Sequence, residues 1–402
     1  MKKVGNLITG LFYLLLIASC QSGNKSSFNN GLEDSPVVGT FVQVGDNQVL
    51  SCDQKLLTDS IHLLLTYLTE KPEIIHLDNR DEALISEGRV LASDNYLLAW
   101  NNKQNPFKLF DRKGNFLTTI GAYGQGPNEY LNVYDANIDE KNDRIYILPW
   151  QSAQILVYDL KGNPQPAIPL CLRVPKGTFH VDLQDSTVAV VLLPFKGLPA
   201  IAWTQDFQGN RKEFIEPGHL EAPQDFSNEV VSYNNMPGTF DVNILYIMPT
   251  PRVDSLYHYD YQNNRLRPFF TLNFKEDPIP WHGYTELPNH YMGDASYPKQ
   301  VSSTSFESSS PSYYIIDKKT GKGAFFRLYN DYLGYTEIDW PIYSFHNGYF
   351  VQNMEPANLK NTLENALKSN KLTEEEKAEL TTLAESLHEN DNNIILLAKL
   401  KQ

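Results

Sequence analysis

The sequence is short of basic charge, of cysteine and of any motif that announces a reaction. Lys and Arg number 34 against 48 Asp and Glu, a formal net charge of −14. Nucleic acids and anionic headgroups are bound by basic surfaces, so this balance argues against both as partners of the chain's surface. There is no Gly-x-Ser-x-Gly elbow, no His-Glu-x-x-His pair and no reactive cysteine setting. The nine His residues are scattered, with His282 and His290 the nearest pair in one segment, and Asp139-x-Lys141-x-Asp143 is only a fragment of a calcium loop. The expectation is therefore no metal and no cofactor. Gly124–Tyr130 is glycine-rich, but it lacks the Gly-Lys-Ser/Thr ending of a phosphate loop and opens no helix.

The apolar core at the start, Leu7–Ile17, is too short to span a bilayer comfortably. Placed behind Lys2 and Lys3 and ahead of small residues, it has the layout of an export signal. Ile17-Ala18-Ser19-Cys20 has the form of a bacterial lipobox, so residues 1–19 are expected to be removed and Cys20 to be lipidated. Each acyl chain contributes about 0.8 kcal/mol per buried CH₂, so two or three hold a soluble domain on a membrane. The expected address is the cell envelope, on the outer membrane, facing the periplasm or the exterior. Loss of Lys2 and Lys3 leaves 32 basic against 48 acidic residues, a net charge of −16. Residues 20–36 are a polar tether with no pattern for a core. Cys52 and Cys171 remain, and export permits a disulfide between them; in the loop-entropy model it would stabilise by ~4–5 kcal/mol.

The body of the chain is a repeat. Gln154–Asn163 (QILVYDLKGN) reads as a buried strand running into a tight turn at Asp159 and Gly162. The pattern recurs at Asp111, Asp206, Asp260 and Asp317, with successive spacings of 48, 47, 54 and 57 residues. A second phase agrees: strand-like runs break at Pro149, Pro194 and Pro249 shortly before the Asp-bearing strand. Copies of ~40–55 residues, each with room for four short strands, predict an all-β fold, a six-bladed β-propeller. The repeated Asp residues resemble sialidase Asp boxes but lack their Ser and Trp, so each is assigned to capping its turn.

The blades are expected at about Glu82–Gly121, Leu131–Leu170, Gly177–Pro217, Asp241–Phe274 and Met292–Asn330, with a sixth beginning at Thr336. Ahead of them lies a lead segment, 37–71. Its Leu57, Ile61, Leu64, Leu65 and Leu68 fit one face of a helix stopped by Pro72. Within residues 72–402, the stretch 356–390 carries two helical stripes and a capping box at Thr373–Glu376. It reads as a helical hairpin inserted before the last strand, NIILLAKLK. The outer strand of blade six is then supplied by EIIHLD, Glu73–Asp78, which closes the ring and hides its sheet edges.

The run Ile120-Gly121-Ala122-Tyr123-Gly124-Gln125-Gly126-Pro127-Asn128-Glu129-Tyr130 resembles a signature of the six-bladed β-propeller lipoproteins of Bacteroidetes, which share the layout of NHL-type propellers. Asn128 departs from the usual Gly, and Asn tolerates the left-handed conformation. The closing strand is also similar to that family's. The resemblance implies a fold and an envelope location, not an activity.

In a propeller, loops between blades and between second and third strands open on one face. There the sequence is expected to gather Tyr123, Gln125 and Glu129, then Trp100, Trp150, Lys196 and Arg252, then Trp281 and His282, with the hairpin overhanging the rim. Aromatic faces beside amides and carboxylates suit sugars. The reading is a lipid-anchored binding protein for a glycan, peptide or protein partner. Two other classes stand beside it: a glycosidase, lyase or lactonase, for which Glu129 and Asp135 are the carboxylates to test, and a structural component of an envelope complex docking through the hairpin.

Overall fold

The computed structural model describes residues 28–29, 31–101, 105–275, 277–302 and 306–402. Leu97 and Leu98, adjacent in the strand Tyr96–Trp100, are both fully buried but on opposite faces. Side chains alternate across a strand, so Leu97 packs with Ile75, Ile395 and Leu397 on one side and Leu98 with Ile145, Ile147 and Leu156 on the other. A strand covered on both faces needs an unbroken apolar run. That is why the second and third strands of the repeat read so clearly.

The arrangement is repeated around a ring. Each of six apolar clusters lies between two neighbouring sheets, and the sixth joins the last sheet to the first. Blade one runs from Arg89–Ala92 to Phe116–Ile120, blade two from Val133–Asp139 to Pro164–Val174, and blade three from Gly177–Asp182 to Arg211–Ile215. Blade four starts at Glu229–Val231 and blade five at Trp281–Glu286. Blade six holds Phe345–His346, Tyr349–Met354, Ile394–Lys399 and, outermost, Glu73–His76. The expected closure is present: Ile394–Lys399 pairs antiparallel with Glu73–His76, Ile395 opposite Ile75.

The repeated Asp side chains act on their own turns. Asp159 accepts from the N–H groups of Lys161 and Asn163 (2.9 and 2.8 Å), and Asp111 and Asp206 do the same. Gly162 takes φ +83°, which a Cβ would strain; in the fourth copy Asn264 adopts the left-handed conformation instead, at φ +49°.

The lead segment departs from its expected helix. Helix covers only Leu65–Leu68, while Ser60–Leu64 is a strand parallel to Gly323–Asn330, with Leu63 opposite Leu328. Ile61, Leu63 and Leu65 are buried at alternate positions, so Leu63 replaces Leu64 in the core and the segment follows period two once a sheet edge is offered. Upstream, Asn47–Asp53 pairs in parallel with Arg265–Asn273 of blade four. Residues 47–76 therefore belt the outside of blades four, five and six in succession, and the lead is part of the propeller.

Three further expectations are corrected. Blades four and five begin earlier than Asp241 and Met292, because their inner strands, EVV and WHGYTE, lack an apolar alternation. Blade six begins at Phe345; Thr336–Glu337 still pairs with the outer strand of blade five. Cys52 and Cys171 are both free thiols. Cys52 lies against blade four and Cys171 on the outer strand of blade two, with blade three between them. The helical hairpin, Pro356–Leu367 and Glu374–Glu385, forms as expected, with the Thr373–Glu376 capping box. Leu359, Leu363, Leu380 and Ala384 are buried in the cluster between blades five and six. Cys20 and its leader lie outside the described residues.

Candidate ligand site at the channel mouth

The inner strands leave a central cavity of about 810 Å³. Its wall is built from the starts of inner strands (Arg89, Asp135, Thr178, Glu229) and the ends of second strands (Trp100, Ile247). Both sets lie on the face where inter-blade loops open. In blade two the register slips between Val133 and Asp135, a bulge that brings the consecutive Tyr134 and Asp135 to the same wall.

The acidic groups on this wall are already engaged. Asp135 accepts from Thr178 Oγ1 (2.7 Å) and from the N–H groups of Phe179 (3.2 Å) and Ala136 (2.9 Å). Burial pushes its carboxyl up to about 6 against the pull of those hydrogen bonds. Glu229 pairs with Lys176 and accepts from the Tyr134 hydroxyl. Lys176, only 6% exposed, also donates to the carbonyls of Phe226 (2.6 Å) and Asn228 (2.9 Å). His346 contacts the Tyr343 carbonyl through Nε2 (2.8 Å), and burial lowers it to about 4, so it is neutral at pH 7 and Nε2 carries the proton.

Arg89 differs. It lines the cavity and is exposed, and among the described residues no hydrogen bond or ion pair holds its guanidinium. Beneath the larger effect of burial, its charge is felt by Tyr134, Asp135, Tyr233 and His346, on blades two, four and six. Beside it stands its register partner Trp100, stacked on Phe107 at 4.7 Å. At the rim, Trp150 (42% exposed) meets Phe226 (51% exposed) edge-on at 6.1 Å.

A family model for a domain of unknown function matches residues 48–399. The chain belongs to the DUF4934 family. The fold of this DUF4934 chain is similar to that of an inferred exported protein of Bacteroides fragilis: 15% identity, 83% of this chain and 95% of that one covered, TM-score 0.55. A Bacteroides vulgatus member of the DUF4221 family gives 12% identity, 83% and 97% coverage and a TM-score of 0.44. No protein with a curated description matches.

Of the residues singled out from the DUF4934 sequence, Trp100 and Asp135 line the cavity. Trp150 stands at its rim, since its N–H bonds the carbonyl of Asn132, next to the wall residue Val133. The others are elsewhere. Glu129 is exposed and holds its own turn, accepting from Gly126 N–H at 2.8 Å, in a setting unlike that of Asp135. Tyr123 and Gln125 are exposed beside it, and Asn128 needs no left-handed conformation there. Lys196 is exposed on a blade-three loop. The Arg252 guanidinium lies 3.7 Å over the Tyr246 ring. Trp281 donates to the Ile247 carbonyl (2.9 Å), and His282 is buried, lowered to about 4 and bonded to Pro280. The hairpin contributes nothing to the wall, because its apolar stripes are turned onto blades five and six. Arg89, Tyr134, Lys176 and Glu229 escaped sequence reading. Their one usable signal was position: each lies at or next to the first residues of an inner strand.

Proposed function

We propose that this chain is a cell-envelope binding protein that takes a polar ligand, a glycan, into the mouth of its central channel. The observation that carries the reading is a cavity of about 810 Å³ with a polar wall, an exposed aromatic, Tyr343, and a cation, Arg89, whose guanidinium meets no hydrogen bond or ion pair among the described residues. That volume falls within the roughly 300–1,000 Å³ of small-molecule sites. Aromatic faces such as that of Tyr343, which lines the cavity and is 38% exposed, stack on sugar rings, and the polar wall supplies hydroxyl partners. The export layout of residues 1–20 and the likeness to an exported Bacteroides protein support an envelope location. The lipobox supports an anchor at Cys20. No helix among the described residues is long and apolar enough to cross a membrane.

A hydrolytic reading would use Asp135 and Glu229, which share the cavity, but both carboxylates are engaged by protein donors. A docking role for the hairpin lacks an apolar stripe, since Leu359, Leu363 and Leu380 are already buried.

Isothermal titration of the full chain against a panel of neutral and acidic glycans and short peptides tests the binding reading. Val231→Trp, which places a bulky ring on the cavity wall and narrows it, should sharply weaken the heat seen with a glycan. Unchanged binding by that variant, or silence from every glycan, overturns the reading. For the anchor, Cys20→Ala should move the protein from the membrane to the soluble fraction, and retention on the membrane would reject lipidation.

A further inference from the structure

The cavity wall is unequal in charge. Its two carboxylates have protein partners, its histidine is neutral, and Arg89 alone keeps its donors for a ligand among the described residues. We propose that the channel mouth selects an acidic saccharide, whose carboxylate seats on Arg89. The assignment rests on the glycan reading above and adds the ligand's charge and the residue that reads it.

Trp100, the register partner of Arg89 on the next strand of blade one, is 7% exposed and stacked on Phe107, so it backs the arginine and leaves the guanidinium as the contact a ligand meets. The guanidinium fork matches a carboxylate with two parallel N–H bonds, where an ammonium would offer only a point charge. Asp135, the nearest carboxylate in sequence to the bulge, does not compete. Its oxygens already accept three bonds, and no ion pair joins it to Arg89. Farther out, Trp150 and Phe226 give a second aromatic surface, which suits a ligand of more than one ring.

The protein's overall net charge of −14 does not forbid an anionic ligand. At physiological salt the Debye length is about 8 Å, so charges on the outer surface are screened and the local Arg89 field governs the mouth.

The test compares three probes by titration calorimetry on the full chain: a galacturonic-acid trisaccharide, the neutral galactose trisaccharide and a sulfated galactose trisaccharide. The uronate should bind at least about tenfold more tightly than the neutral sugar, with affinity falling as salt rises. Arg89→Ala should bring the uronate down to the neutral level, and Arg89→Lys should recover part of the difference. Because the Arg89 guanidinium makes no hydrogen bond or ion pair among the described residues, Arg89→Ala should leave thermal stability unchanged, which separates lost recognition from misfolding. Equal binding of neutral and acidic sugars, unaffected by Arg89→Ala, would overturn the inference while leaving the glycan reading intact. Preference for the sulfated probe over the uronate would overturn the carboxylate assignment. Silence from all three, in a folded wild-type protein, would overturn this inference and count against the glycan reading on which it rests.

Discussion

Ile75 and Ile395, one near each end of the chain, lie opposite each other in the outermost ladder of blade six. Both are buried, with Ile395 at 0% exposure, and both belong to the cluster between blades six and one. The pair is a clasp that converts an open arc of sheets into a ring. Replacing Ile395 by Ala should cost roughly 2–5 kcal/mol, the range for emptying a packed site. Ile74, the next residue along but 39% exposed, is the control, and its Ala variant should stay within about 0.5 kcal/mol of wild type. Urea denaturation measures both. Equal effects would mean that the clasp is not a packed element.

Lys176 ties the start of blade three to the start of blade four through Glu229 and two carbonyls. Lys176→Met keeps the stem but strands those acceptors, and should cost roughly 2–4 kcal/mol. The Glu229 side chain is 37% exposed, so water screens part of the loss and the lower end is expected. Adding Glu229→Gln should restore some stability, because the stranded charge is then gone. A double variant no more stable than the single one would contradict this.

Asp294 is buried on the second strand of blade five, where burial raises its carboxyl to about 7 against hydrogen bonds from Gly283 N–H (3.1 Å) and the Tyr343 hydroxyl (3.4 Å). The unfolded chain releases this proton near 3.8 and the folded one near 7. Between those values the native state holds more protons, so raising the pH weakens the fold and the loss is complete above about 7. The contribution is on the order of 4 kcal/mol, at 1.36 kcal/mol per pKa unit. Asp294→Asn should flatten the stability profile between pH 4 and 7. An unchanged slope in that variant would assign the pH dependence to other groups.

The two thiols of the described region should differ in reactivity. Cys52 is 1% exposed and burial pushes it up to about 12, while Cys171 is half-buried. Native protein treated with an alkylating reagent should be labelled at Cys171, with Cys52 slower by roughly tenfold or more until denaturant is added. Peptide mass mapping reads the outcome. A Cys52–Cys171 peptide cross-link would refute the free-thiol assignment.

The parts of this molecule that were legible in its sequence are those in which the deciding forces are local. Asp159 and Gly162 mark their turn because the hydrogen bonds they make or permit reach only two to four residues along the chain. Runs such as ILVY and YLLAW announce buried strands because both of their faces meet another blade. The hairpin could be read from its capping box and its leucine stripes, again local features. The closing strand was legible for a related reason: NIILLAKLK carries more apolar surface than a free terminus can expose.

What tertiary structure decided is whatever depends on a partner distant in sequence. Leu57, Ile61, Leu64, Leu65 and Leu68 fit one helical face, but the open edge of Gly323–Asn330 drew Ser60–Leu64 into a strand that buries Leu63 in place of Leu64. WHGYTE became an inner strand only because neighbouring sheets enclosed it. The ligand site lies furthest from local rules. Arg89, Asp135, Lys176 and Glu229 come from separate blades, each a lone charge beside an inner-strand start, and the blade period that separates them says nothing of their facing one another. Sequence alone determined the repeat, the turns and the ring, since short-range bonding and two-faced burial write themselves into residue order. The cavity and its unmatched arginine arise only when the ring closes, because electrostatic complementarity is a property of distances across the channel and not along the chain.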